Sequence, residues 1–234
     1  MKYIIGNWKM NGNKQLLLEM LNAITQKNSK NQVILCVPYT MLQSGTDIVS
    51  MGAQNISTHE FGPYTGEISA EMVYESGARY VILGHSEVRE YHNESDSDVY
   101  TKANIALKYG LTPIICVGET AQERDQGLTQ KIIEQSLRKS LPDCLDKKII
   151  IAYEPRWAIG RGITPSYDDI SRVHLLIHTT VKSLGYQDFN ILYGASVKPD
   201  NVMEIMSLKY VDGVLVGGAS LKKDEFISII TNVK

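Results

Sequence analysis

Three short segments carry side chains able to move a proton. Gly6-Asn7-Trp8-Lys9-Met10-Asn11-Gly12 sets an amide beside an ammonium. Gly84-His85-Ser86-Glu87 sets an imidazole before a carboxylate, and Tyr153-Glu154-Pro155 ends an apolar run with a carboxylate. Taken singly, each has an ordinary alternative: a solvated lysine, a structural histidine, a buried ion-pair partner. Taken together they form the set that proton abstraction next to a carbonyl needs, namely a base, a donor to the oxygen that gains charge, and fixed positive charge nearby. Glu154, His85 and Lys9 fill those places. Trp157-Ala158-Ile159-Gly160-Arg161-Gly162-Ile163 follows the glutamate directly, with glycines around an arginine and Pro165 beyond. The segment suits a mobile lid that excludes water, or else an ordinary connecting loop. Gly194-Ala195-Ser196 and Gly217-Gly218 offer backbone N–H groups at positions where glycine lets an anion approach closely.

These groups need a scaffold that brings distant segments to one place. Short β-branched runs recur at Tyr3–Gly6, Val33–Val37, Met51–Gln54, Tyr80–Leu83, Thr112–Cys116, Lys148–Ala152, Phe189–Leu192 and Val211–Val216. Several lack inside/outside alternation, as strands covered on both faces do in a parallel sheet. The third run is the weakest, since its glycine and alanine are poor strand formers. Between the runs lie helical stripes: Leu17, Met20, Leu21 and Ile24; Ile170, Val173, Ile177, Val181 and Leu184, stopping near Gly185; and Phe226, Ile229, Ile230 and Val233. Thr164-Pro165-Ser166 and Ser95-Asp96-Ser97-Asp98 supply helix starts. Eight strand-helix repeats without a linker predict one α/β domain over residues 1–234, a single (β/α)8 barrel of the kind that takes roughly 250 residues. Chemistry then collects just after strands, at one end of the barrel. The three segments follow the first, fourth and sixth runs, and the glycine segments follow the seventh and eighth.

Composition narrows the partners. A formal net charge of −2 with scattered Lys and Arg lacks the footprint of a nucleic-acid or acidic-lipid binder. Cys36, Cys116 and Cys144 form no close pair, which fits a reducing cytoplasm better than a disulfide framework or a zinc site. The N-terminal apolar stretch is too short for a signal peptide, and no stretch reaches the ~20 apolar residues of a membrane span. His174 and His178 have the i, i+4 spacing of a zinc pair but no further ligand nearby, so outward helix positions are expected for them. Gly160-Arg161-Gly162 is no dinucleotide fingerprint, lacking a third placed glycine.

Asn7-Trp8-Lys9-Met10-Asn11-Gly12, Gly84-His85-Ser86-Glu87, Ala152-Tyr153-Glu154-Pro155 and Val216-Gly217-Gly218-Ala219-Ser220-Leu221 together resemble the triosephosphate isomerase family, in order along the whole chain. Gln54-Asn55, Tyr64-Thr65-Gly66-Glu67 and Cys116-Val117-Gly118-Glu119 agree too. That family's glutamate base, neutral histidine and closing loop are well known. The resemblance implies interconversion of dihydroxyacetone phosphate and glyceraldehyde 3-phosphate, within glycolysis and gluconeogenesis, with no metal and no cofactor. Glu154 would shuttle the proton, His85 would polarise the carbonyl, and Lys9 would stabilise the enediolate-like charge. Asn7 would hold substrate oxygens, N–H groups of Gly160, Ser196, Gly217 and Gly218 would bind phosphate, and Glu87 would support the histidine. Thr65, on the Asn55–Glu67 segment, would reach a second subunit in a homodimer. The chain departs from the family pattern at Ala195, where a second glycine is usual, and in the lid at Arg156, Arg161, Ile163 and Pro165. Val88 replaces one of two arginines and leaves Arg89. His178 and Tyr210 replace an arginine and aspartate that pair in many relatives. The first competing expectation is a catalytically silent phosphate-binding barrel, for which only Ala195 and the altered lid speak; the second is a barrel isomerase of another phosphorylated aldose or ketose, which the fold alone would permit.

Overall fold

Eight parallel strands hydrogen-bond in sequence order and close on themselves, β8 pairing with β1. The computed structural model describes residues 1–27, 29–44, 49–159 and 164–233. The strands are β1 (Tyr3–Asn7), β2 (Gln32–Cys36), β3 (Ser50–Ala53), β4 (Ala78–Leu83), β5 (Thr112–Val117), β6 (Ile149–Tyr153), β7 (Phe189–Tyr193) and β8 (Gly213–Val216). Around them run α1 (Lys14–Thr25), α2 (Ala70–Glu75), α3 (Ser86–His92), α4 (Asp96–Lys108), α5 (Ala121–Asp125), α6 (Thr129–Ser140), α7 (Tyr167–Ser183), α8 (Val202–Ser207) and α9 (Lys223–Asn232). This is the (β/α)8 barrel that the alternation predicts.

Strand parity sorts the apolar residues into two cores, because successive side chains point to opposite faces. Tyr3, Ile5, Ile34, Cys36, Ile82, Ile114, Cys116, Ile150, Ala152, Leu192 and Leu215 fill the barrel's interior. Ile4, Leu35, Leu83, Ile115, Ile151, Tyr193 and Val216 face the helices and form the larger outer core with residues such as Leu17, Ile177 and Phe226. Both faces are dry, which is why the strands lack polar alternation in sequence.

Local signals place most helix starts. Ser95 Oγ accepts from Asp98 N–H while Asp98 accepts from Ser95 N–H, a capping box; Thr120 and Glu123 form another, and Ser166 caps α7. The connection after β2 differs from the regular alternation. Its described helical element is a 3-10 turn over Tyr39–Ser44, which buries Met41 and Leu42 rather than a long stripe. β3, whose sequence is a poor strand former, is held between β2 and β4 with a register shift at Met51/Gly52. β8 begins at Gly213 rather than Val211, since the Asp212 carboxylate turns to accept from Ile191 N–H at 2.9 Å.

Two of the departures from the family pattern find substitutes. Arg89, without a neighbouring arginine, pairs with Asp96 at 2.8 Å and donates from Nε to Gly84 O. His178 stacks on Tyr210, ring centroids 4.2 Å apart, so a ring contact stands where many relatives have a charge pair. Its neighbour His174 is a correction to the outward placement expected above. It is fully buried against the barrel, with Nδ1 3.0 Å from Tyr210 O. Its helix position falls on the same stripe as Val173 and Ile177, so the apolar face of α7 carries it inward.

Candidate active site

At the mouth of the barrel, the parity of β6 that turns Ile150 and Ala152 inward continues to Glu154, which is 3% exposed. By the same parity Ile5 is followed by Asn7, and Leu215 by Gly217. His85 breaks parity, because Gly84 adopts φ +70° and turns the chain into α3. A Cβ there would be strained and would meet Arg89 Nη2 at 2.9 Å. His85 then caps α3, its Nδ1 accepting from Glu87 N–H at 3.2 Å. The other ring nitrogen, Nε2, lies 3.2 Å from Glu154 Oε1.

Lys9 sits at φ +53°, its N–H donating to Asn7 Oδ1 at 3.0 Å and its carbonyl accepting from Gln54 Nε2 at 3.0 Å. The ammonium is thereby directed to Glu87 Oε1, 2.5 Å away. Trp8, wholly buried, fastens this turn to the loop after β8 through Nε1 to Ser220 O at 3.1 Å. Ser196 is also left-handed, at φ +47°, with Oγ 3.3 Å from Ala158 O.

These groups line one cavity of ≈370 Å³ that includes Asn7, Lys9, His85, Glu154, Ser196, Gly217 and Gly218. Of the sequence-predicted site residues, Gly160 lies outside the described residues, as do Arg161, Gly162 and Ile163 of the lid. Glu87 touches the site through Lys9 and His85 without lining the cavity, and Thr65 is exposed on a loop elsewhere. Its neighbours Gly66 and Glu67 border a second cavity of ≈610 Å³, which holds the buried Glu94–Lys102 ion pair. No group of acidic, histidine and cysteine side chains among the described residues could hold a metal ion, and none of their helices is long and apolar enough to cross a membrane.

Electrostatics suit a base beside a proton donor. Burial pushes the Glu154 pKa up, but His85 and then Lys9 pull it down, and the pull prevails below the usual carboxylate value. For His85, burial opposes the imidazolium while the Glu154 carboxylate favours it, and the balance raises the pKa. A second ring proton would have to sit on Nδ1, however, where Glu87 N–H already donates. The hydrogen-bond geometry therefore holds a neutral ring with its proton on Nε2, facing Glu154.

A buried support beneath Glu154 was visible in sequence only as part of the family resemblance. Glu154 N–H donates to Val117 O at 2.8 Å and Arg156 N–H to Glu119 O at 3.0 Å, which lays the chain just after β6 along the turn after β5. Glu119, 1% exposed, accepts from Trp157 Nε1 at 3.0 Å and from Tyr153 OH at 3.2 Å. An acidic residue just past an apolar strand was the available signal; its partners lie 34 and 38 positions away and only the fold joins them.

A sequence model described as triosephosphate isomerase matches residues 2–233. The chain belongs to the triosephosphate isomerase family. The chain is 45% identical to a triosephosphate isomerase from Nostoc sp. over 213 residues, covering 87% of each. It is 41% identical to one from Nitrosococcus oceani, covering 97% of this chain and 96% of the relative. Among solved structures, the crystal structure of triosephosphate isomerase from Bartonella henselae superposes with a TM-score of 0.89 at 39% identity, covering 99% of this chain and 98% of that one.

Proposed function

We propose that this member of the triosephosphate isomerase family interconverts dihydroxyacetone phosphate and D-glyceraldehyde 3-phosphate through an enediolate-like intermediate. The observation that carries the reading is the 3.2 Å approach of His85 Nε2 to Glu154 Oε1 in a cavity that also presents Lys9. Glu154 takes the proton from one carbon and returns it to the next. His85, donating from Nε2, polarises the carbonyl oxygen and then relays protons between the two oxygens. Lys9 offsets the charge that develops there, with Asn7 beside it. Backbone N–H groups of Ser196, Gly217 and Gly218, with Gly160 of the lid, hold the phosphate, and closure of the lid keeps water from the intermediate. Glu87 keeps Lys9 and His85 oriented. The chain works as one domain without metal or cofactor, in the cytoplasm, as a homodimer whose Thr65 loop reaches the second copy. Glycolysis and gluconeogenesis are the flux it would serve.

The test is isomerisation of glyceraldehyde 3-phosphate by purified wild type and Glu154→Gln prepared identically. The variant is expected to lose about 10²- to 10⁴-fold in turnover, the usual contribution of a positioned base. Equal turnover in both would sink the assignment of Glu154, and a folded wild type that turns over nothing would favour the silent phosphate-binding barrel.

A further inference from the structure

The cavity that holds the base must also admit a phosphate dianion, and its charges conflict. Glu154 and Glu225 both line it, and a carboxylate repels the incoming ligand. Three lysines are among the described lining residues: Lys9, Lys198 and Lys222. Two of them have carboxylate partners, Lys9 with Glu87 at 2.5 Å and Lys222 with Glu225 at 2.8 Å. Lys198 alone among these three has no acidic partner among the described residues.

Its position is set by the fold. Lys198 N–H donates to Asn201 Oδ1 at 2.8 Å, and Asn201 Nδ2 donates to Ser196 O at 3.0 Å. The next residue's carbonyl, Pro199 O, accepts from Asn232 Nδ2 on α9 at 3.2 Å. Val197, on the other side, is buried. An exposed ammonium thus springs from a backbone pinned on both sides, two residues past Ser196 at the glycine-rich end of the cavity.

We infer that Lys198 recruits the phosphate dianion to the cavity, adding a long-range attraction to the backbone N–H groups that hold it, without taking part in proton transfer. This rests on the isomerase reading for the substrate, but needs only phosphate binding for its test. A unit charge about 10 Å from a dianion in water changes its local concentration by about threefold at low ionic strength, and by much less once salt shortens the screening length. The effect therefore belongs in KM and in its salt dependence, and kcat is untouched.

Wild type, Lys198→Ala and Lys198→Arg are compared for kcat and KM on glyceraldehyde 3-phosphate, and for inorganic phosphate binding by calorimetry, at low and at physiological ionic strength. Lys198→Ala is expected to raise KM and the phosphate Kd about threefold at low ionic strength with kcat unchanged. The gap should narrow in salt, and arginine should restore both constants. A wild-type KM and phosphate Kd in the alanine variant at low ionic strength would overturn the inference, as would a fall in kcat at constant KM. If the wild type binds phosphate but isomerises nothing, the isomerase reading fails and the phosphate arm still decides the role of Lys198.

Discussion

Glu154 lies against a residue with no side chain. A Cβ built on Gly118 would lie 1.7 Å from Glu154 O, a contact that backbone cannot relieve without moving. Glycine is thus required by close approach at this position, independent of φ. Gly118→Ala is expected to displace the turn after β5 and the Glu154 segment together, lowering stability by ~2–4 kcal/mol and kcat by tenfold or more. Urea unfolding and steady-state kinetics on the same sample check both. Unchanged kcat with wild-type stability would show that the two turns are not coupled as described. The same logic explains why the site's lysine tolerates a left-handed backbone: Asn7 Oδ1 and Gln54 Nε2 each satisfy one polar group of Lys9 in that conformation, offsetting the roughly 1–3 kcal/mol such strain costs.

Helix α7 carries the clearest titration signature of any element. His174 is buried between it and the barrel, with Tyr153 and Tyr193 rings around it, Nδ1 on Tyr210 O, and Nε2 without a hydrogen-bond partner. Burial lowers its pKa to about 4, against a weaker upward pull from Tyr210 O and Asp212. The unfolded chain binds this proton below about pH 6.5 and the folded one only below about 4. Between those values the unfolded state holds more protons, so stability rises with pH across that window and is level outside it for this group. The full span approaches ~3 kcal/mol. Urea unfolding between pH 4.5 and 7.5 should show this slope in the wild type and a shallower one in His174→Gln. Parallel slopes would remove His174 as the cause. The adjoining His178–Tyr210 stack keeps α7 seated without a charge pair; neither ring strands a buried ion, so losing both members of such a pair together leaves no penalty.

For the whole molecule, the exposed apolar side chains Met10, Phe61 and Tyr64 lie on loops at or near the segments that frame the two cavities, with Phe61 86% and Met10 96% exposed. His59 stacks face to face on Tyr64, 3.7 Å between centroids, and stiffens the loop that bears Thr65. A preformed, apolar-tipped loop costs less entropy to dock than a floppy one. Sedimentation equilibrium is expected to give twice the 26.2 kDa chain mass, and Thr65→Arg should shift the protein toward monomer with a parallel fall in activity. A wild-type monomer with full turnover would rule out the homodimer.

Strand number, order and the (β/α)8 class were legible because a strand buried on both faces must be apolar throughout, and because helical stripes between such strands have a period of their own. That Lys9, His85 and Glu154 would share one cavity was legible because polar groups directly after apolar strands stand out, and a barrel brings the ends of its strands together. Hidden from sequence were the features that depend on approach between distant segments: the clash that reserves Gly118 for glycine, the Glu119 carboxylate shared by Tyr153 and Trp157, and the inward turn of His174 where a polar residue was expected to face out. Propensity and periodicity act over a few neighbouring residues, so they fix which elements form and where each exposes its face. Which buried polar groups find partners, and which lysine at the cavity's rim has no acidic partner among the described residues, is settled only when the barrel closes and brings β1, β4, β6, β7 and β8 to one mouth.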